Sequence, residues 1–112
     1  MRVAINGFGR IGRSVFRILD KNKNIKVVAI NDLSEQNSLA YLLKYDTVMG
    51  KFSGNIRIEN NIMVTDNDNI QMLSERNPEN LPWKDYDVDV VIESTGVFTK
   101  RKLLESHLNA GA

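Results

Sequence analysis

Three glycines in six residues, Gly7-Phe8-Gly9-Arg10-Ile11-Gly12, stand between two segments of different periodicity. Before them, residues 2–6 form a short apolar run ended by Gly7, which reads as a buried strand. After them, Ile11, Val15, Ile18 and Leu19 recur at i, i+4, i+7 and i+8 between Arg10 and about Asn22. That spacing predicts a helix with this stripe inward and Arg13, Arg17 and Lys21 turned to water. A strand, a G-x-G-x-x-G turn and a helix in this order have a physical purpose. Gly7 turns the chain sharply, Gly9 presents backbone without a Cβ, and Gly12 lets helix and strand approach closely. The free N–H groups at the helix start then face an anion such as a pyrophosphate.

The next segments extend the same pattern. Ile25 to Asn31 is almost continuously apolar and reads as a strand buried on both faces. Strand, helix and strand within about thirty residues make a βαβ unit with two parallel strands. Ser34 is the expected N-cap of a second helix, Glu35 to Tyr45, with Leu39, Leu42 and Leu43 inward. From Asp46 to Asn69 the turn formers Gly50, Gly54, Asn60-Asn61 and Asp66-Asn67-Asp68-Asn69 separate short β-prone pieces at 56–59 and 62–65. These predict one or two small hairpins inserted at the sheet edge. Ile70 to Ser74 and Val88 to Ser94 read as further strands, with a loop bracketed by Pro78 and Pro82 between them. A last helix is expected from Lys100 to about Asn109, burying Leu103, Leu104 and Leu108 and stopping at Gly111. The expected fold is α/β: a Rossmann-like parallel sheet with flanking helices and an inserted β-hairpin region, the first half of a doubly wound fold, as one domain over 1–112.

A dinucleotide site of this type needs an acidic residue about twenty positions after the glycines. Asp32 lies twenty residues after Gly12, directly after the second strand. Its carboxylate can accept hydrogen bonds from both ribose hydroxyls of an adenosine and would repel a 2′-phosphate. No Lys or Arg appears between Asp32 and Lys44, which favours NAD over NADP. The competing reading has Asp32 capping the helix that follows. Asn6 and Asn31 end their strands at the same edge, where they either line the crevice or satisfy strand ends. Ser94-Thr95-Gly96 ends the later strand, either as a close-approach surface for the adenosine or as an ordinary turn.

Composition removes several other functions. With no Cys among 112 residues there is no disulfide framework, no thiolate metal site and no Cys nucleophile. The longest uncharged run is Gln36 to Leu43, far too short to span a bilayer, and no signal-peptide pattern opens the chain, so a cytoplasmic location is expected. The single His, His107, suits the end of a helix better than catalysis. Asp66, Asp68 and Asn67 lack the Gly and distal Glu of a calcium loop and read as a hairpin turn, so no metal site is expected. The net charge of +1 conceals a basic first segment, with seven Arg/Lys against one Asp in 1–31. The excess reads mainly as one solvated helix face, although it could attract an anionic ligand. Lys100-Arg101-Lys102 has no aromatic residues interleaved, which makes nucleic acid a poor partner.

Several blocks together resemble the phosphorylating glyceraldehyde-3-phosphate dehydrogenase family: Val3 to Arg13, Ala29-Ile30-Asn31-Asp32-Leu33, Leu42 to Thr47, Pro82-Trp83, and Glu93 to Phe98. They fall in the family's order and span nearly the whole chain. The resemblance implies a homotetrameric glycolytic enzyme that oxidises glyceraldehyde 3-phosphate with NAD and inorganic phosphate to 1,3-bisphosphoglycerate. It also implies an active-site Cys that forms a thiohemiacetal and a His that acts as base, both beyond residue 112. The chain by itself is then expected to be inactive. Residue by residue, the resemblance places Arg10 and Ile11 at the pyrophosphate, Asp32 at the adenosine ribose and Arg76 near the adenine. Thr95, Gly96 and Phe98 border the adenosine and the path toward the nicotinamide. The expected cofactor-binding set is Gly7, Phe8, Gly9, Arg10, Ile11, Asn31, Asp32, Arg76, Ser94, Thr95, Gly96 and Phe98, with NAD as cofactor and no catalytic residue. Erythrose-4-phosphate dehydrogenase shares the opening motif but tends to carry Glu where this chain has Asp32. A stand-alone dinucleotide-binding module is the other alternative.

Overall fold

A computed structural model describes residues 1–46, 50–51, 55–66, 68–77 and 80–94. Their order is β1 (Arg2–Asn6), α1 (Arg10–Leu19), β2 (Lys26–Asn31), α2 (Gln36–Lys44), β3 (Tyr45–Asp46), β4 (Gly50–Lys51), β5 (Ile56–Glu59), β6 (Ile62–Thr65), β7 (Asn69–Leu73) and β8 (Val90–Glu93). Six strands form one sheet in the order β5-β6-β7-β2-β1-β8, and β3 and β4 pair separately as an antiparallel ribbon. The run β7-β2-β1-β8 is parallel, while β5, β6 and β7 are antiparallel neighbours. Counted among the parallel strands alone, the order is 3-2-1-4, that of the first half of a doubly wound sheet. The expected parallel sheet with a hairpin inserted at its edge is what forms: the hairpin extends the β7 edge and makes the whole sheet mixed. Its turn residues Asn60 and Asn61 have φ of 51° and 63°. Two consecutive left-handed residues make the tight turn that matches strand twist, and Asn tolerates that region better than most side chains.

A register shift in β2 sets which residues face each side. Val3 pairs with Val27 but Ala4 pairs with Ala29, so Val28 is the extra residue of a bulge. Val27 and Ile30 consequently join the core on one face, with Phe16 of α1 and Leu39 and Leu43 of α2. Val28 and Ala29 face the opposite core, with Leu81, Trp83 and Val88. Among the described elements both helices thus cover one face. The segment expected as a simple loop around Pro82 covers the other, with Trp83 completely buried. The shift also brings Asn6 opposite Asn31 on one side, while β8 presents Glu93 opposite Asn6 on the other.

The helices depart from their sequence patterns in instructive ways. In α1 the buried residues are Gly12, Phe16 and Arg17, whereas Ile11 and Ile18 are exposed by 67% and 66%. Close packing at Gly12 fixes the rotation of the helix, so Gly12, Phe16 and Leu19 look inward at i, i+4 and i+7. The expected stripe is offset from that line by one residue, about 100° of helix rotation. Arg17, expected in water, instead lies over this core and donates to the carbonyl of Leu43 at the end of α2. A long side chain can bury its stem while its head finds an acceptor. The helix also ends at Leu19, with Asp20 as C-cap, short of Asn22.

In α2 the N-cap is Glu35, not Ser34, and Leu42 is exposed where Ala40 takes the inward place beside Leu39 and Leu43. The chain leaves the helix at Lys44 because Tyr45 enters the β3–β4 ribbon. The expected helix from Lys100 to Asn109, with His107, lies outside the described residues. No helix among the described residues is long and apolar enough to cross a membrane.

Candidate functional site

The C-terminal ends of β1, β2, β7 and β8 converge at one edge of the sheet. Gly7 turns there with φ of 96°, a value that disfavours any side chain, and its N–H donates to the carbonyl of Asn31 at 2.7 Å. The helix that follows is pressed against this turn. A Cβ on Gly12 would come within 2.2 Å of the Gly7 carbonyl oxygen and 3.0 Å of Ser94 Oγ. A Cβ on Gly9 would meet nothing within 4 Å. The backbone at Gly9 therefore opens onto free space.

Gly9 is the N-cap of α1, with no side-chain cap bond and no acidic residue in the first turn. Arg10 and Ile11 are exposed at this helix start, and Arg13 Nη1 donates to the carbonyl of Phe8 at 3.2 Å. An N-terminus that carries basic and no acidic residues, and that opens onto space, fits a bound pyrophosphate. Phe8 itself turns inward, packing edge-on against Phe16 with ring centroids 5.9 Å apart. Such a pair adds about 1 kcal/mol beyond its burial.

Asp32 ties this loop to the next one. Its Oδ2 accepts from the Phe8 N–H at 2.7 Å and its Oδ1 from the Ser34 N–H at 2.8 Å. It does not cap α2, whose N-cap is Glu35. Each carboxylate oxygen offers two acceptor positions, so one on each remains for a ligand hydroxyl. The half-buried carboxylate is thereby aimed by backbone while it keeps the capacity to take two ribose hydroxyls.

Behind these loops lies a buried polar joint. Asn31 Nδ2 donates to Asn6 Oδ1 at 2.7 Å and to the Glu75 carbonyl at 2.9 Å, and Asn31 Oδ1 accepts from the Glu75 N–H at 2.8 Å. Asn6 Nδ2 donates to Glu93 Oε2 at 2.8 Å. Both Asn side chains are almost fully buried. Of the two readings open for them, satisfying strand ends describes their side chains: Asn31 aligns the edge. Ser94 completes the joint, with Oγ donating to the carbonyl of Gly7 at 2.6 Å and its N–H to that of Asn6 at 2.9 Å. Arg76 is exposed just after the anchored Glu75. Thr95, Gly96 and Phe98 lie outside the described residues.

Immediately past Asp32 an open depression of about 500 Å³ is bounded by Leu33, Ser34, Glu35, Gln36 and Asn37, by Ile58, Asn60 and Asn61 of the hairpin, and by Ser74. Among the described residues, Glu35 is the only charged one on its walls. Its Oε1 accepts from the Asn37 N–H at 2.9 Å, and its Oε2 from the Ser38 N–H at 2.8 Å and the Ser38 hydroxyl at 3.1 Å. The backbone bond from Asn37, then that from Ser38, holds the carboxyl below the usual glutamate range. Sequence reasoning passed over Glu35 because Ser ranks well above Glu as an N-cap. It also passed over Glu75 and Glu93, whose partners come from strands far away in sequence.

The family model for the glyceraldehyde 3-phosphate dehydrogenase NAD binding domain matches residues 1–101. The chain is 56% identical to the glyceraldehyde-3-phosphate dehydrogenase of Thermotoga maritima over 99% of its own length and 34% of the relative's. It is 52% identical to that of Geobacillus stearothermophilus, covering 100% of itself and 33% of the relative, and 52% identical to that of Chlamydia pneumoniae, covering 100% and 34%. The chain thus spans about a third of the length of the curated relatives it matches.

Proposed function

The chain belongs to the glyceraldehyde 3-phosphate dehydrogenase family, within its NAD-binding domain, and from that premise we propose how its residues hold the cofactor. The Gly9 backbone and the start of α1, with Arg10 and Ile11, receive the pyrophosphate. Asp32 takes the adenosine ribose through the acceptor positions left on its two oxygens, Arg76 lies toward the adenine, and Ser94, Thr95, Gly96 and Phe98 border the adenosine. The observation that carries this reading is the uncapped helix start over Gly9 beside a carboxylate held by backbone on both oxygens.

The whole protein is proposed to oxidise glyceraldehyde 3-phosphate with inorganic phosphate to 1,3-bisphosphoglycerate, as a cytoplasmic homotetramer. Bound NAD supplies the hydride acceptor for that chemistry. These 112 residues contain no Cys, so the part proposed for them is to bind and orient the cofactor, not to attack the aldehyde.

Calorimetric titration of the folded chain with NAD, with NADP as control, tests the reading. Saturable NAD binding, weaker NADP binding and at least a roughly tenfold loss on Asp32→Ala are expected, because hydrogen bonds to a charged group contribute about 1.5–3 kcal/mol. No heat of binding from a chain with normal circular dichroism would refute it.

A further inference from the structure

We propose that Asn6-Gly7 is a latent deamidation site, closed by the buried polar joint, whose conversion to an acid keeps the sheet edge from re-forming. It is the one Asn-Gly pair in the 112 residues. The chemistry needs only water and hydroxide. The Gly7 amide gives its proton to hydroxide, and its nitrogen attacks the side-chain carbonyl carbon of Asn6. A C–N bond forms, the Cγ–Nδ2 bond breaks, and ammonia leaves with a proton taken from water. Water then opens the resulting succinimide to an aspartyl or an isoaspartyl link. Gly permits this step most readily, because no Cβ crowds the attacking nitrogen.

The joint holds each group that the step uses. Asn6 is 1% exposed in β1. Its Oδ1 accepts from Asn31 Nδ2 at 2.7 Å, and its Nδ2 donates to Glu93 Oε2 at 2.8 Å. The Gly7 N–H is committed to the Asn31 carbonyl at 2.7 Å. The reaction therefore runs when the edge opens, and its rate follows the population of the open form. The product does not fit back. It sets a carboxylate where Nδ2 met Glu93, 2.8 Å from a second carboxylate, and like charges this close cannot both stay ionised. An isoaspartyl link also adds one carbon to the main chain just before Gly7. The φ of 96° there and the bond to Asn31 begin the loop that carries Gly9. Opening of the edge is thereby recorded in one direction only.

Two experiments test this, and neither readout requires NAD, so a failed cofactor reading leaves both intact. In the first, the 112-residue chain is incubated in mildly alkaline buffer, and the peptide containing Asn6 is followed by mass spectrometry for loss of the amide and for isoaspartate. The folded parent is expected to convert at least about tenfold more slowly than the same chain in denaturing urea. Asn31→Ala removes the bond to Asn6 Oδ1 and both bonds to the Glu75 backbone. It is expected to convert about tenfold faster than the parent, and faster than parent brought to the same unfolding free energy by urea. Equal rates in folded and denatured parent overturn the proposal. Equal rates in Asn31→Ala and the stability-matched parent also overturn it, because global unfolding would then be the only route.

The second experiment uses Asn6→Asp, which supplies the aspartyl product in advance. Its urea midpoint is expected to fall below that of the parent. Asn6→Asp combined with Glu93→Gln is expected to regain most of that loss, since an amide then faces the new carboxylate. An unchanged midpoint in Asn6→Asp, or a double variant no more stable than Asn6→Asp, overturns the proposal.

Discussion

Two helices start at the same edge of this sheet, each directly after a parallel strand, and they are finished in opposite ways. The start of α1 has a glycine cap, no side-chain cap bond and no acidic residue in its first turn. The start of α2 is filled by the Glu35 carboxylate, which takes the N–H groups of Asn37 and Ser38. Both ends carry the same partial positive charge from their unpaired N–H groups. The difference teaches that a helix start is left open to a ligand only where the chain withholds its own acceptor. Asp32 stands between the two, bonded to the loop of each.

The most disruptive way to break this comparison is to force α1 away from its strand. Gly12→Val drives side-chain atoms into the Gly7 carbonyl 2.2 Å from the Cβ position. A loss of about 3 kcal/mol or more is expected, with NAD binding gone, and urea denaturation would measure it. Asn31→Ala attacks the joint that aligns both loops. It leaves Asn6 and both Glu75 backbone groups short of a partner and should cost about 2 kcal/mol. A loss below about 0.5 kcal/mol would show that the joint does not hold the edge.

Gly9→Asp sharpens the comparison by making α1 resemble α2. Gly9 has φ of −77° and open space at its Cβ, so the side chain fits and can cap the helix. Stability should rise by a few tenths of a kcal/mol, roughly the gap between Gly and Asp caps, while NAD affinity falls about tenfold or more. A Gly9→Asp chain that binds NAD like the parent would remove the open helix start from the cofactor's binding.

The two smallest effects concern pH. The Glu35 carboxyl is held below its ordinary value, so its contribution to stability is present above that value and fades as pH falls through the lowered one. Melting temperatures of parent and Glu35→Gln should therefore diverge at neutral pH and converge in acid. Asp68 behaves in the opposite sense. Burial first, then the nearby Asp20, raises its pKa, with Lys26 opposing, beside a second depression of about 650 Å³ at the end of α1. A raised carboxyl favours the fold while protonated and costs stability as pH rises past its unfolded value. Asp68→Asn should stabilise the fold slightly at neutral pH, by well under about 1 kcal/mol given solvent screening, and not in acid, which melting temperatures at the two pH values would check. Its main-chain bonds to Thr65 do not involve the carboxyl and remain.

Much of the edge could be read from the chain alone, for a local reason. A positive φ at Gly7 and a missing Cβ at Gly12 are requirements of backbone geometry within a few residues, and the glycine spacing states them directly. The Asn60-Asn61 turn and the strands around it are legible in the same way. The helix faces were not. Ile11 and Ile18 carry a good apolar period, yet the rotation of α1 is set by a contact with Gly7 and Ser94, which periodicity does not contain. The inward place of Trp83 likewise depends on the far face of a sheet that the sequence does not display.

The sequence by itself determined the order of elements, the glycine turn, the acid at Asp32 and the family, because each is written in residue types at short fixed spacings. Only the tertiary structure decided that Asp32 is shared between two loops, that Asn31 faces Asn6 and Glu75 inside the joint, and that Glu35 closes α2. Asn6, Asn31, Glu75 and Glu93 are brought together by parallel pairing, and a single bulge at Val28 sets the register of β1 against β2. Shift that register by one residue and every side chain on the strand changes face, which no local pattern of residue types can encode.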